Sequence, residues 1–357
     1  METRNEINTK LAQWITHRAE NQFADDIALV LTYGSVINGT AHEKSDLDCC
    51  FIPKTEKGRS FAADFILAGV GYDIFPISWQ RLEQIADLND FLLPILGDSE
   101  ILYTASESDR SHFLELRHRL AVHLKDNAFS ACAAKKRINN AQQLALQLED
   151  ADNMKTCRLL GGQILLSLAD AVALANGNYY HYGLKKQYED LRAHFPDLPP
   201  AILTAYLGIM QAQKCATVKT NALQMLDFVK QYLQNSDEPS VTKIKTQPVA
   251  SVCRDISALS CLYEEICSTF LKIYVSCAGH NAPLAFLSAI SLQWDLDEAA
   301  LLGGPDYDVL SAYSFWNLTG FSEKVHQIET SFITFIAQNG GYIKVYSCFD
   351  DFCKADL

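Results

Sequence analysis

The stretch LTYGSVINGTAHEKSDLDCCFIP, residues 31–53, decides how the rest of the chain is read. An apolar run, Ile27 to Leu31, leads into it and ends in Gly34-Ser35. A short segment follows, and then Asp46 and Asp48 alternate with Leu47 at the mouth of a second apolar run, Cys49 to Ile52. Residues two apart on a strand point to the same face, so the two carboxylates aim at one point. Such a pair repels itself unless a cation sits between its members. Gly34-Ser35, at a strand-to-helix turn, offers free backbone N–H groups suited to a phosphate. A divalent-metal site beside a phosphate cradle points to phosphoryl or nucleotidyl transfer.

Working outward, the spacing of Leu11, Trp14 and Ile15 predicts a helix over Asn8–Phe23, and Ile27–Leu31 reads as a buried strand. Ser35–His42 is expected as a short helix, Leu47–Ile52 as a strand and Lys54–Ser60 as a charged loop. Phe61–Ala68 fits helix or strand. Val70–Ser78 alternates as a third strand, with Tyr72, Ile74 and Pro76 on one face and Asp73 and Phe75 on the other. A lone Asp in so apolar a strand needs a partner. Ser78 can cap a helix over Trp79–Leu88, and Glu100–Tyr103 reads as a short edge strand.

From Asp109 the period becomes helical, over His112–Lys125, Phe129–Asp150, Lys155–Asn176 and Thr217–Gln234. Shorter helices are expected over Leu184–Phe195 and Ala201–Lys214. Asn235–Ala250, polar and broken by Pro239 and Pro248, reads as a linker. Ile256–Ala278, Ala282–Leu292 and Ser322–Gln338 are helical again. The fold class is therefore α+β: a small mixed-sheet domain over residues 1–105, a helical bundle over 106–236, and a mostly helical extension or domain over 251–357.

Composition narrows the function classes. The net charge is −13, distributed as −8 over residues 1–105, +3 over 106–236 and −8 over 237–357. An acidic chain is a poor duplex nucleic-acid binder. The middle segment alone can supply cations to a polyphosphate. The N-terminus is too polar for a signal peptide, and the most apolar stretch, Leu159–Ala175, is short for a bilayer span and interrupted by Gln163 and Asp170. The 11 cysteines are scattered, with no paired Cys-x-x-Cys units, as expected of free thiols in a reducing compartment. The expectation is a cytoplasmic protein without a membrane partner.

An Asp-x-Asp pair alone is common, and Asp295/Asp297 and Asp306/Asp308 repeat it, expected in loops or helix starts. What separates Asp46 and Asp48 is Gly34-Ser35 with ten residues intervening, Ser45 before the pair, and Asp73 downstream. In these positions the chain resembles the DNA polymerase beta-like nucleotidyltransferase superfamily, over roughly residues 1–105. The resemblance implies a small mixed-sheet catalytic domain in which Asp46, Asp48 and Asp73 hold Mg²⁺, with Asp73 able to act as general base. Gly34, Ser35 and Ser45 would lie at the phosphates of a nucleoside triphosphate, ATP by preference. The order of catalytic domain and then bundle is similar to that of kanamycin-type small-molecule nucleotidyltransferases, which place their acceptor between the two. It implies transfer of AMP to a hydroxyl of a small molecule, an amino sugar suiting the acidic surface, with pyrophosphate released. Adenylylation of a protein side chain and nucleotide binding without turnover are the alternatives.

In the bundle, Arg158 beside Gly161-Gly162 and Lys185 beside Tyr179, Tyr180 and Tyr182 are the preferred triphosphate ligands, ahead of Lys135, Lys136 and Lys186. Gln163, Ser167 and Asp170 form a polar stripe on an apolar helix, either an acceptor contact or a solvated face. Arg117 and His123 match a loose Arg-x5-His pattern resembling small helical ribonucleases, which the acidic balance disfavours.

Overall fold

A computed structural model of the chain describes residues 2–195, 197–234 and 254–355, so the linker expected over 235–250 lies outside the described residues. Helix α1 (Arg4–Gln22) opens on Thr3, whose side chain accepts the Glu6 N–H while the Glu6 carboxylate answers the Thr3 N–H. Its buried residues Ile7, Leu11, Ile15 and Ala19 recur at helical spacing and lie on the sheet. The strands are β1 (Ile27–Tyr33), β2 (Asp48–Pro53), β3 (Ala63–Leu67), β4 (Val70–Pro76) and β5 (Glu100–Thr104). Phe61–Ala68 therefore resolves largely as strand. The charged stretch before it carries a 3-10 turn, Lys57–Phe61.

A sixth strand, β6 (Val345–Tyr346), comes from the far end of the chain, and the sheet order is β5-β1-β2-β4-β3-β6. The sheet is mixed, since β2 with β4 and β3 with β6 run parallel and the other neighbours antiparallel. The helical elements begin with α2 (Trp79–Ala86), capped by Ser78, whose Oγ accepts the Arg81 N–H at 3.1 Å, and the single turn α3 (Pro94–Gly97). The bundle comprises α4 (Glu107–Lys125), α5 (Asn127–Asp150), α6 (Met154–Ala175), α7 (Gln187–His194), α8 (Pro200–Gln211) and α9 (Cys215–Tyr232). After the undescribed segment come α10 (Ile256–Ala278), α11 (Ala282–Leu301), α12 (Leu318–Gln338) and the short α13 (Phe349–Cys353).

Three expectations need correction here. Residues 35–39 form successive turns and 40–42 irregular chain, with no helix, because Gly34 and Gly39 take φ of 76° and 75°, and the Asn38 side chain accepts the Thr40 N–H. α11 runs on to Leu301, so Asp295 and Asp297 stand inside a helix. Gly161 and Gly162 do not border a cleft: a Cβ on each would lie 2.7 Å from Val218 Cγ1 and 2.5 Å from Ile290 Cδ1, respectively. They are where α9 and α11 cross α6 closely.

The sheet separates two cores. One face, with Phe51, Phe65, Tyr72 and Ile74, is covered by α1 and receives Phe352 of α13, which is 1% exposed against Trp14 and Phe65. The other face merges into the core that runs through the bundle and on to α10–α12. α6 is long and apolar enough to cross a membrane by composition, but 78% of its most apolar window is buried inside the protein, as befits the central helix of a bundle.

α10 packs across β3 and β4, and a Cβ on Gly71 of β4 would stand 2.6 Å from the Glu264 carbonyl oxygen. The C-terminal helices are thus seated on the N-terminal sheet. Phe352→Ala should cost about 3–5 kcal/mol of stability in denaturant unfolding, whereas Tyr342→Ala, at a 74% exposed position, should stay within about 0.5 kcal/mol of the parent.

Candidate functional site

The antiparallel register sets Tyr33 of β1 opposite Asp48 of β2, and that of β3 and β4 sets Asp64 opposite Asp73. The parallel β2–β4 register joins Cys49 with Ile74, so one step earlier Asp48 stands beside Asp73. Residues paired across neighbouring strands point to the same face, so Tyr33, Asp48, Asp73 and Asp64 form one row across the sheet. Asp46 precedes the strand and lines the same two cavities as Asp48. The row lies on the face that α10 covers, since Gly71, two residues before Asp73, is in contact with that helix.

Like charges this close interact strongly. At a strand spacing near 5 Å and an effective dielectric of about 20, two carboxylates repel by roughly 3 kcal/mol. Desolvation followed by Asp46 pushes the Asp48 carboxyl up to about 7, against Lys272, Lys185 and the Ser35 N–H. Desolvation, then Asp64 and Glu265, pushes Asp73 up to about 9, and its carboxyl shares a hydrogen bond with Asp64. Asp73 is therefore held in the row, beside Asp48, by a fourth carboxylate that sequence reasoning missed. Its signal was the alternation of Phe61–Ala68, had that segment been assigned as strand.

Gly34 fits tightly against the row. Its φ is 76°, and an added Cβ would lie 1.9 Å from Asp48 Oδ2, so only glycine lets the turn pass the carboxylate. Ser45 is buried and holds the approach to Asp46: its Oγ accepts the His42 N–H at 3.0 Å and its carbonyl accepts from Asn8 Nδ2 at 3.3 Å.

A cleft of about 300 Å³ opens over Gly34, Ser35, Asp46 and Asp48, within the range of small-molecule sites. Phe91, Pro94, Ile95, Leu166, Leu287 and Trp294 line its apolar part. Its polar part brings in Lys185 and Lys186, from the 3-10 turn Leu184–Lys186, and Lys272 of α10. Lys185 Nζ donates to Thr269 Oγ1 at 2.8 Å and Lys186 Nζ to Thr40 Oγ1 at 3.1 Å. Among the described residues none of the three makes an ion pair within 4.0 Å. Desolvation and then Lys272 bring Lys185 down to about 8, against Asp295, Asp46 and Asp48. Desolvation and then Lys272 lower Lys186 as well. Three ammonium groups without carboxylate partners, facing one cleft, are an arrangement an anion would relieve.

Beside it a smaller polar pocket of about 180 Å³ also borders Asp46, Asp48 and Lys185, and adds Asp73, Glu265, Thr269 and Asp295. Desolvation, then Asp295 and Asp64, raise Glu265 to about 7; desolvation raises Asp295 to about 6 against Lys185. Lys272 and Glu265 were not singled out from sequence, and Asp295 was set aside as part of a common Asp-x-Asp pair, since helical spacing on α10 and α11 does not reveal which distant sheet a helix will cover.

Other expected residues lie elsewhere. Arg158 is 2% exposed and donates to the carbonyls of Leu310 at 2.6 Å and Ala212 at 3.1 Å, so it ties loops and does not line either cavity. Asp170 forms a buried pair with Arg137 at 2.6 Å, and Ser167 accepts from Asn140 at 2.9 Å; the stripe is neither solvated nor in the cleft. Arg117 donates to the Leu96 carbonyl, and His123 contacts the Ala86 carbonyl and stacks on Phe129. Lys135 and Lys136 do not line the cleft.

Among the described residues no three His, Cys, Asp or Glu groups converge on a point where a metal ion could sit. Magnesium asks for less, being held by one or two carboxylates together with phosphate oxygens and water. Asp46 and Asp48 offer those hard oxygen donors, and the Gly34 notch leaves the Asp48 carboxylate open to the cleft. The residues present fit the ion on those terms, with Asp73 engaged by Asp64.

No protein-family model matches the sequence, and no curated protein matches it. Among solved structures, a nucleotidyltransferase-like protein from Exiguobacterium sibiricum 255-15 aligns over 74% of this chain and 80% of its own, at 12% identity and a TM-score of 0.33.

The geometry makes one substitution decisive. Gly34→Ala should leave the far-UV circular dichroism spectrum intact while displacing Asp48, weakening binding of a Mg²⁺-nucleotide by about tenfold or more in equilibrium titration.

Proposed function

We propose that the protein is a Mg²⁺-dependent nucleotidyltransferase that moves a nucleoside monophosphate, AMP from ATP, onto a hydroxyl of a small molecule and releases pyrophosphate. The observation that carries this reading is the facing of Asp46 and Asp48, beside the Gly34–Ser35 turn, with Lys185, Lys186 and Lys272 across one cleft. A triphosphate needs both halves. Carboxylates alone would repel it, and lysines alone would not place a cation at its α-phosphorus.

In this reading Asp46 and Asp48 would hold Mg²⁺, which when bound would supply Lewis-acid stabilisation of the charge that builds on the α-phosphoryl group. The lysines take the β- and γ-phosphates, the Ser35 N–H being turned to Asp48, and the apolar part of the cleft takes the base. The acceptor enters the smaller pocket. Its hydroxyl oxygen bonds to the α-phosphorus as the bond to the β-phosphate oxygen breaks, and the electron pair leaves with pyrophosphate. Asp73, in its ionised form, would accept the hydroxyl proton as general base. Asp73, Glu265 and Asp295 around that pocket favour an acceptor bearing amines, and a space of about 180 Å³ favours a small molecule over a protein segment. Free thiols at every described cysteine suit a cytoplasmic location.

Purified protein with Mg²⁺ and each nucleoside triphosphate, with and without amino-sugar acceptors, should release pyrophosphate. Asp46→Ala and Asp48→Ala should each lower the rate by about 100-fold or more while leaving the protein folded. Nucleotide binding without release under any condition would leave an idle nucleotide site. Release stimulated only by protein acceptors would make the reaction a protein adenylylation.

A further inference from the structure

The carboxylate row and the lysines come from different parts of the chain, and α10 brings them together. That helix is fastened to the sheet through Glu264. Glu264, 1% exposed, accepts the Lys344 backbone N–H at 2.5 Å through Oε1, and its Oε2 lies 3.3 Å from Lys344 Nζ. Lys344 Nζ also donates to the Asp64 carbonyl at 3.1 Å, and the Lys344 carbonyl accepts the Ile66 N–H at 2.8 Å. One residue thus binds α10 through a buried acid, β3 through a carbonyl, and the pairing of β6 with β3 through its own backbone. Gly71 completes the seat, leaving no room for a side chain between β4 and α10.

What α10 presents from that seat is the site. Glu265 and Thr269 border the acidic pocket and Lys272 borders the cleft. These three stand at i, i+4 and i+7, one stripe of the helix. Thr269 Oγ1 accepts from Lys185 Nζ, so the helix also sets the position of a lysine that belongs to the bundle. Lys344 and Glu264 line neither cavity. Only the Glu264 side of the pair is buried, the Lys344 side chain being 33% exposed, so losing Lys344 leaves a buried acid without its cation.

We propose that the Lys344–Glu264 pair positions the site. It fixes the depth and rotation of α10 on the sheet, and through Thr269 and Lys272 it sets where Lys185 and Lys272 stand opposite Asp46 and Asp48. The inference rests on the reading of the cleft as a polyphosphate site. Lys344 and Glu264 are positioning residues, and the C-terminal strap that carries Lys344 is part of the catalytic arrangement although it touches no substrate.

The test uses the full chain with Lys344→Met, Lys344→Arg and Glu264→Gln, the last isosteric and able to keep the backbone acceptor should Lys344→Met fail to fold. Folding is followed by circular dichroism and thermal unfolding. Acylation of Lys185 by acetic anhydride at pH 8 is measured by mass spectrometry that resolves it from Lys186, with the exposed Lys214 as internal standard. Dissociation constants for MgATP are measured on the same samples. In folded Lys344→Met and Glu264→Gln, the ratio of Lys185 to Lys214 labelling and the MgATP dissociation constant should each rise by about tenfold or more. Lys344→Arg, which keeps the charge and a donor, should recover most of both. Folded variants with unchanged Lys185 labelling and unchanged MgATP affinity would overturn the inference. If the parent protein itself binds no MgATP, the polyphosphate reading fails, and Lys185 labelling alone decides whether the pair positions that lysine.

Discussion

Asp48, Asp73 and Asp64 stand side by side, half-buried, on neighbouring strands, Asp46 precedes them and the exposed Glu265 faces them from a helix. Their mutual repulsion is the constraint that the rest of the molecule answers. Protonation answers part of it, in the hydrogen bond between Asp73 and Asp64. Lysines answer another part, since Lys185 and Lys272 hold Asp48 below where burial and Asp46 would otherwise leave it. The remainder is unmet at Asp46 and Asp48, which open to the cleft. A fold that needed only stability would replace such a row with apolar residues, because a buried charge is costly unless it is paired. Retaining it is intelligible when a cation and a polyphosphate complete the set.

The same constraint explains where backbone had to be bare. Gly34 passes beside Asp48 Oδ2 where a Cβ would collide, and Gly71 lets α10 lie against β4 within reach of Asp73. Both are local features with distant reasons. Gly34 was legible in the sequence because its partner lies in the same short stretch. Gly71 was not, since the helix that needs it begins nearly two hundred residues later.

That contrast marks the limit of what the chain's order reveals. Alternation gave Asp48 and Asp73 each a face of its own strand and the resemblance joined them in one site, while Ser78, Asn8–Phe23 and the bundle helices followed from caps and periodicity. Lys185 was found because its neighbours Tyr180 and Tyr182 share its side of the cleft. Arg158 met the same kind of criterion and is instead buried among loop carbonyls, since a glycine pair on a helix marks close helix crossing as readily as a cleft. Lys272 and Glu265 carried no local signal, and Asp295 carried only an Asp-x-Asp spacing that the chain repeats elsewhere. Their meaning depends on α10 and α11 folding back onto the N-terminal sheet, which the pairing of β6 with β3 secures. The molecule is built as a ring of dependence, from sheet to bundle to C-terminal helices and back to the sheet.

The central claim is that the carboxylate pair and the lysines form one site for a metal-bound polyphosphate. Titration of a non-hydrolysable ATP analogue, with and without Mg²⁺, into the parent protein and Lys272→Met tests it most directly. Binding to the parent should require Mg²⁺ and should decline as pH rises through about 8, where Lys185 loses its proton. Lys272→Met should weaken it by about tenfold or more. Binding that ignores Mg²⁺, or that survives Lys272→Met unchanged, would contradict the account.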